Sequence, residues 1–202
     1  MEIYLVRHTE VHNPAKLCYG QSEIPLSSDW QASFDSLKNN LGDQIGDAIF
    51  YSSPFNRCTQ LAGFLSNNKY IIDRRLSEMN FGSWEKCAWT AIDPDVLNLW
   101  MADYVNFRIP EGENFIDLQA RCILFWDELL VQAQSEICII THAGVIRSIL
   151  ANVLSIPLDK VFQLEIDCGS VTKITVNKER GIYQKVNYIN YQAAGRNTKN
   201  PK

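Results

Sequence analysis

The segment that most limits how this chain can fold is Glu136–Thr141, EICIIT, followed at once by His142-Ala143-Gly144. Its apolar run does not alternate, and such a strand is buried on both faces, as in a parallel sheet covered by helices. Glu2–Val6 repeats the arrangement and stops at Arg7-His8-Thr9; Asp47–Tyr51 repeats it again and stops at Ser52-Ser53-Pro54. Ser53 with Pro54 behind it reads as a helix cap and first helical residue. Phe55, Cys58, Leu61, Ala62 and Leu65 then follow at helical spacing. Lys69–Asp73 is a further strand candidate.

Asn114–Gln134 is the clearest helix, with Phe115, Leu118, Cys122, Phe125, Leu129 and Ala133 on one stripe. Val145, Ile149, Leu150 and Val153 predict another helix after Gly144. Phe162–Asp167 and Val171–Val176 alternate like strands, and residues 177–181 read as a hairpin turn into Ile182–Tyr188. The alternation of strands and helices predicts an α/β fold. It should be a three-layer sandwich with a mainly parallel central sheet and helices on both faces. Residues from about 74 to 110, rich in Trp and with a helix through Val96, Leu97, Trp100 and Tyr104, break the alternation and read as a short lid-like insertion. Residues 1–191 are expected to form one domain, with a polar, frayed tail at 192–202.

Composition excludes several classes. The 202 residues carry 19 Lys and Arg against 23 Asp and Glu, a formal charge of −4, so a nucleic-acid polymer is not the expected partner. No apolar run reaches the roughly 20 residues of a membrane span. The N-terminus MEIYLVRHTE lacks the pattern of a signal peptide, so the expected location is the cytoplasm. Six scattered cysteines include no C-x-x-C pair; Cys58, Cys122 and Cys138 sit on apolar faces and read as reduced core thiols. With three histidines and no Cys/His cluster, no metal site is expected. The oligomeric state stays open, a dimer included.

His8 and His142 share a context, an apolar strand that ends in a histidine followed by small residues and a turn or helix. In a parallel sheet the strand C-termini lie along one edge, where such folds place ligands. Arg7 adjoins His8, and Arg57 lies in the first turn of a helix that follows another strand. Two arginines, two histidines and helix N-termini at one edge suit a phosphate group. A neutral imidazole can attack phosphorus, and the arginines hold the charge that redistributes during transfer. An alkoxide leaving group needs a proton. Glu78 is the candidate donor, in a setting of Trp and Phe residues that helps a carboxyl keep its proton. Glu85 and Glu113 are rivals on the same grounds.

Five collinear motifs carry a resemblance: Arg7-His8-Thr9, Ser53-Pro54-x-x-Arg57, Glu78-x-x-Phe81-Gly82-x-Trp84-Glu85, Pro110-x-Gly112-Glu113 and Thr141-His142-Ala143-Gly144-Val145-Ile146-Arg147. Together they resemble the histidine phosphatase superfamily, also called phosphoglycerate-mutase-like. The resemblance implies a phosphohistidine mechanism with His8 as nucleophile, Arg7, Arg57 and His142 as phosphate pocket, and Glu78 as proton donor and acceptor. It implies no metal or organic cofactor, and a small-molecule phosphate ester as partner. Cys18-Tyr19-Gly20-Gln21-Ser22-Glu23-x-Pro25-Leu26-Ser27 looks most like the α-ribazole phosphatase branch, with Tyr19 and Gly20 as substrate-binding positions. That branch removes phosphate from α-ribazole 5′-phosphate in assembly of the cobalamin lower loop.

The family's pocket asparagine corresponds to Asn13, one residue short in spacing, and Thr9-Glu10-Val11 stands where Gly-Glu-Thr is common. Glu23, Lys86 and Asn114 also depart from the usual residues, which bears on substrate more than on reaction type. The alternatives are a broad sugar-phosphate or nucleotide phosphatase, a phosphoglycerate mutase-like enzyme, and a non-catalytic phospholigand-binding module. His12 reads as a surface loop residue and Arg147 as structural. Trp84, Trp89 and Trp100 read as insertion core or, alternatively, as aromatic walls for a nucleoside-like leaving group.

Overall fold

The computed structural model describes residues 1–179 and 181–192. Its strands are β1 (Glu2–Arg7), β2 (Ile49–Ser52), β3 (Tyr70–Ile72), β4 (Glu136–Thr141), β5 (Val171–Asn177) and β6 (Tyr183–Tyr191). They form one sheet in the order β3-β2-β4-β1-β5-β6. The pairs β3–β2, β2–β4 and β4–β1 are parallel, whereas β5 and β6 add an antiparallel edge. The apolar run of β4 is therefore central, with parallel neighbours on both sides.

Alternation along the strands feeds two cores. Ile3, Leu5, Ile137 and Ile139 pack with α4 (Phe115–Leu130) and α5 (Ala143–Leu154), through residues such as Leu118, Phe125, Val145 and Ile149. Tyr4, Val6, Cys138 and Ile140 pack on the opposite face with α1 (Trp30–Leu41) and α2 (Asn56–Ser66), through Phe34, Leu37, Cys58 and Leu61. This is the mainly parallel α/β sandwich expected. Cys58, Cys122 and Cys138 are fully buried and free, and burial pushes the Cys58 and Cys122 thiols up to about 12, which keeps them inert at neutral pH.

Local side-chain caps set the starts of two helices. Asn114 and Asp117 form a reciprocal capping box at the start of α4. Asp93 accepts from the Asp95 N–H, and Pro94 opens α3 (Pro94–Ala102). The expected start of α2 at Ser53-Pro54 is corrected. Phe55 is its cap residue, and the carboxylate of Glu23, brought from another loop, accepts the Asn56 N–H at 3.1 and 3.2 Å. Ser53 is drawn away because its hydroxyl pairs with His142. Periodicity assigned no element to α1, whose buried apolar positions Phe34, Leu37 and Leu41 are diluted by polar residues.

Phe162–Asp167 is not a strand. Leu158–Gln163 winds as a 3-10 helix, and the following carbonyls are taken by arginines: Leu164 O by Arg147 Nε at 3.0 Å and Ile166 O by Arg7 Nη1 at 2.6 Å. Side chains thus supply the partners that a strand would have sought in the sheet. Of the tail expected at 192–202, Gln192 donates to Cys168 O at 2.9 Å, and residues 193–202 lie outside those described.

The segment between β3 and α4 contains α3, short 3-10 turns and no strand. Its core is an aromatic cluster in which Trp84, Trp89, Trp100, Phe81 and Phe107 meet at centroid distances of 5.7 to 6.4 Å. Trp84 is buried within it, while Phe81, Trp89 and Trp100 also line the cavity described next.

Candidate active site

Strand register brings the two histidines together. Arg7 lies opposite Thr141 in the parallel β1–β4 pair, so the next residue of each strand, His8 and His142, leaves the sheet at the same level. Their rings sit edge to face, 5.2 Å apart at 66°. Both are buried and line a cavity of about 280 Å³, also lined by Arg7, Arg57, Glu78, Tyr19 and Arg147.

The tautomer of His8 follows from its partner. Nδ1 lies 2.7 Å from the Thr9 carbonyl oxygen, which can only accept, so Nδ1 carries the proton and Nε2 holds the lone pair. Burial, then the charges of Arg57 and Arg7, hold His8 well below the ordinary histidine value of 6.5. His142 is lowered likewise by burial, Arg57, His8 and Arg7. Its Nε2 is 2.7 Å from Ser53 Oγ, which fixes the ring. Both imidazoles are thus neutral at neutral pH.

The same shifts predict how stability responds to acid. Below pH 6.5 the unfolded chain takes up protons that the folded chain refuses. Their contribution is therefore full above 6.5 and is lost as pH falls through the folded values. A melting series from about pH 7.5 to about 5 should show Tm falling, with a smaller fall in His8→Asn. Equal falls in both proteins would remove His8 from this account.

Arg57 is fully buried, with Nη1 on Ser22 O at 2.9 Å and Nη2 on Gly20 O, and its guanidinium lies over the rings of Phe55 and Tyr19 at 4.8 and 5.3 Å. Among the described residues no carboxylate pairs with Arg7 or Arg57, and the buried Nε of each has no hydrogen-bond partner. Two unneutralised guanidiniums in one cavity create a strong demand for an anion.

Glu78 reaches the same cavity. Its Oε1 accepts the Met79 N–H at 2.9 Å and Oε2 the Gly144 N–H at 3.1 Å, so α5 holds the carboxyl beside His142. The two rival glutamates are engaged elsewhere. Glu113 makes a two-point pair with Arg121 at 2.9 Å and accepts the Asn80 N–H. Arg121 in turn binds the carbonyls of Arg75, Ser77 and Glu78, fixing the backbone that carries the candidate acid. Glu85 accepts backbone N–H groups of Gly20, Gln21, Ser22 and Phe81.

Tyr19 lines the cavity. Gly20 is placed differently. Its N–H goes to Glu85 and its carbonyl to Arg57, and a Cβ there would stand 1.8 Å from the Met79 carbonyl oxygen. Glycine serves close backbone approach here. The Asn13 amide donates to Leu17 O and accepts from Leu17 N, both at 2.9 Å, closing its own loop, and Asn13 is not among the cavity residues. His12 is exposed. Arg147, read from sequence as structural, faces the cavity with its guanidinium 4.9 Å over Phe162. Sequence reasoning also missed the Ser53–His142 pair, because Ser53 looks locally like a helix cap. Among the described residues no group of three or more His, Cys, Asp or Glu side chains is placed to hold a metal ion. No helix among them is long and apolar enough to cross a membrane.

The sheet edge that carries the paired histidines and the arginines without carboxylate partners is that of an α/β protein with a site suited to an anion, and a family comparison gives the family. The model of the histidine phosphatase superfamily (branch 1) matches residues 3–189, and the chain belongs to that family. The adenosylcobalamin/alpha-ribazole phosphatase of Escherichia coli is 23% identical over 96% of this chain and 98% of its own. A protein of Erwinia tasmaniensis named as a probable phosphoglycerate mutase is also 23% identical, over 86% of this chain and 84% of its own. The crystal structure of the alpha-ribazole phosphatase from Shigella flexneri superposes with a TM-score of 0.84 at 24% identity, covering 98% of this chain and all of that one.

Proposed function

We propose that residues 1–191 form one catalytic domain that hydrolyses a small phosphate monoester through a phosphohistidine. The observation that carries this reading is the His8 Nε2 lone pair in one cavity with the fully buried guanidinium of Arg57 and that of Arg7, whose Nε is buried, neither paired with a carboxylate among the described residues. In the first step Nε2 forms a bond to phosphorus while the ester P–O bond breaks. Glu78, in its protonated form, gives its proton to the departing oxygen. Arg7, Arg57 and His142 hold the phosphoryl oxygens as charge shifts between them. In the second step the Glu78 carboxylate takes a proton from water, the water oxygen bonds to phosphorus, and the P–N bond breaks. Phosphate leaves, and His8 and Glu78 regain their starting states.

The favoured substrate is α-ribazole 5′-phosphate. Support comes from the relatives that bear its name and from the wall formed by Phe81, Trp89 and Trp100, which fits a planar leaving group better than a small polyol. A cytoplasmic setting suits six cysteines of which none forms a disulfide among the described residues. The second reading, a broad phosphatase or mutase-like enzyme, draws on the mutase-named relative. A non-catalytic binding module is a poorer fit because nucleophile and candidate acid line the same cavity.

The test is a kcat/KM panel of α-ribazole 5′-phosphate, several sugar phosphates and 3-phosphoglycerate in excess chelator. Preference for α-ribazole 5′-phosphate by about fivefold or more is expected, since an aromatic contact contributes roughly 1 kcal/mol. Equal values across the panel would defeat the substrate assignment, and loss of turnover in chelator would defeat the mechanism. A second prediction concerns Gly144. A Cβ there would lie 2.3 Å from Glu78 Oε1, so Gly144→Ala should displace the acid and lower kcat roughly a hundredfold. Unchanged kcat in a folded variant would show that Glu78 is not the proton carrier.

A further inference from the structure

Among the described residues no carboxylate pairs with Arg57, yet a counter-charge reaches it by another route. The peptide group made of the Gly20 carbonyl and the Gln21 N–H lies between two ionic groups. Its oxygen accepts from Arg57 Nη2, and its N–H donates to Glu85 Oε1 at 2.8 Å. The flanking groups repeat the pattern. The Gly20 and Ser22 N–H groups donate to Glu85 at 3.0 Å, while the Ser22 carbonyl accepts from Arg57 Nη1 at 2.9 Å. Three consecutive N–H groups converging on one anion form a concave nest. Here the nest is filled by the protein's own carboxylate, and the same arc turns its carbonyls to a guanidinium.

The geometry points to Glu85 as a positioning residue for Arg57, acting through the Gly20–Ser22 backbone. This rests on the proposed role of Arg57 in holding phosphate. Two carbonyls set the orientation of the guanidinium fork. Nε, buried and without a partner, and the second hydrogen of each Nη are left for an anion. A carboxylate on the far side of the peptide polarises it and strengthens the carbonyl as an acceptor. The arc has little room to shift, since Gly20 already touches the Met79 carbonyl. Glu85 also accepts the Phe81 N–H at 3.2 Å, so the same carboxylate ties the phosphate arginine to the aromatic wall of the insertion.

An amide at position 85 cannot reproduce this. Glu85→Gln removes the charge and turns an NH2 toward backbone donors. The arc should open, and the fork should lose its alignment without any contact to ligand being removed. The readout is binding of inorganic phosphate by calorimetry, together with Tm, for wild type, Glu85→Gln, Arg57→Lys and the double variant. Lysine keeps the charge of Arg57 but cannot bridge two carbonyls as a planar fork. The expected result is phosphate affinity about tenfold weaker in Glu85→Gln, with the double variant no weaker than Arg57→Lys alone. Unchanged affinity in Glu85→Gln, or losses that multiply in the double variant, would overturn the assignment. Should Glu85→Gln fail to fold, Glu85→Asp withdraws the carboxylate by one methylene and is judged by the same criteria. Failure of the wild type to bind phosphate would instead refute the phosphate pocket itself, and this assignment with it.

Discussion

Replacing His8 by Ala is expected to abolish turnover of p-nitrophenyl phosphate, lowering kcat by about 10⁴-fold or more, equivalent to roughly 5 kcal/mol of barrier. Among the described residues no neighbouring group is placed to stand in for it. His142 Nε2 is engaged with Ser53, and Cys58, 3.6 Å from that nitrogen, is held as a thiol by burial. The guanidiniums of Arg7 and Arg57 remain, so the variant should still bind inorganic phosphate. Retained binding with lost turnover separates chemistry from misfolding. A rapid acid or base quench with labelled substrate should find an acid-labile, base-stable phosphoryl group on wild type and none on His8→Ala. Turnover within tenfold of wild type in the variant would sink the phosphohistidine route.

Glu78→Gln should have the second-largest effect, and one that depends on the leaving group. An amide keeps one acceptor oxygen for the Met79 or Gly144 N–H but cannot exchange a proton with the substrate. For an alkyl phosphate ester, departure of the alkoxide becomes limiting, and kcat should fall by about 10²- to 10⁴-fold. p-Nitrophenolate leaves without protonation, so with that substrate the first step is largely spared while attack of water on phospho-His8 is slowed. A burst of nitrophenolate matching the enzyme concentration, followed by slow turnover and accumulated phosphoenzyme, is expected. Equal losses for both substrates, with no burst, would place the proton chemistry on another group.

Much of the site was legible in the sequence because it is built at the ends of strands. An unbroken apolar run has to be central in a covered parallel sheet, and the residue after it has to emerge at the C-terminal edge. That reasoning placed Arg7, His8 and His142 at one edge, and helical spacing after the next strand added Arg57. Glu78 was harder, since three glutamates in or beside one irregular segment look alike. Only the partners separate them: Arg121 for Glu113, a backbone arc for Glu85, and two N–H groups at the cavity for Glu78. Asn13 and Gly20 show the opposite pattern. Their motif positions suggested ligand contact, yet their polar groups are closed on Leu17 and on the Glu85–Arg57 arc.

The sequence by itself determined the layer order, the edge on which chemistry collects and the residue types gathered there, because hydrophobic periodicity is local and strand ends follow from it. Tertiary structure alone decided which donors remain free. Whether a serine caps a helix or fixes an imidazole, and whether a glutamate meets a proton or a loop, depends on groups far apart in the chain: Ser53 with His142, Glu85 with Gly20. Hydrogen bonding is short-ranged and saturable, so these pairings cannot be read from spacing along the chain. They settle only when the fold brings the competing partners within 3 Å or so of one another.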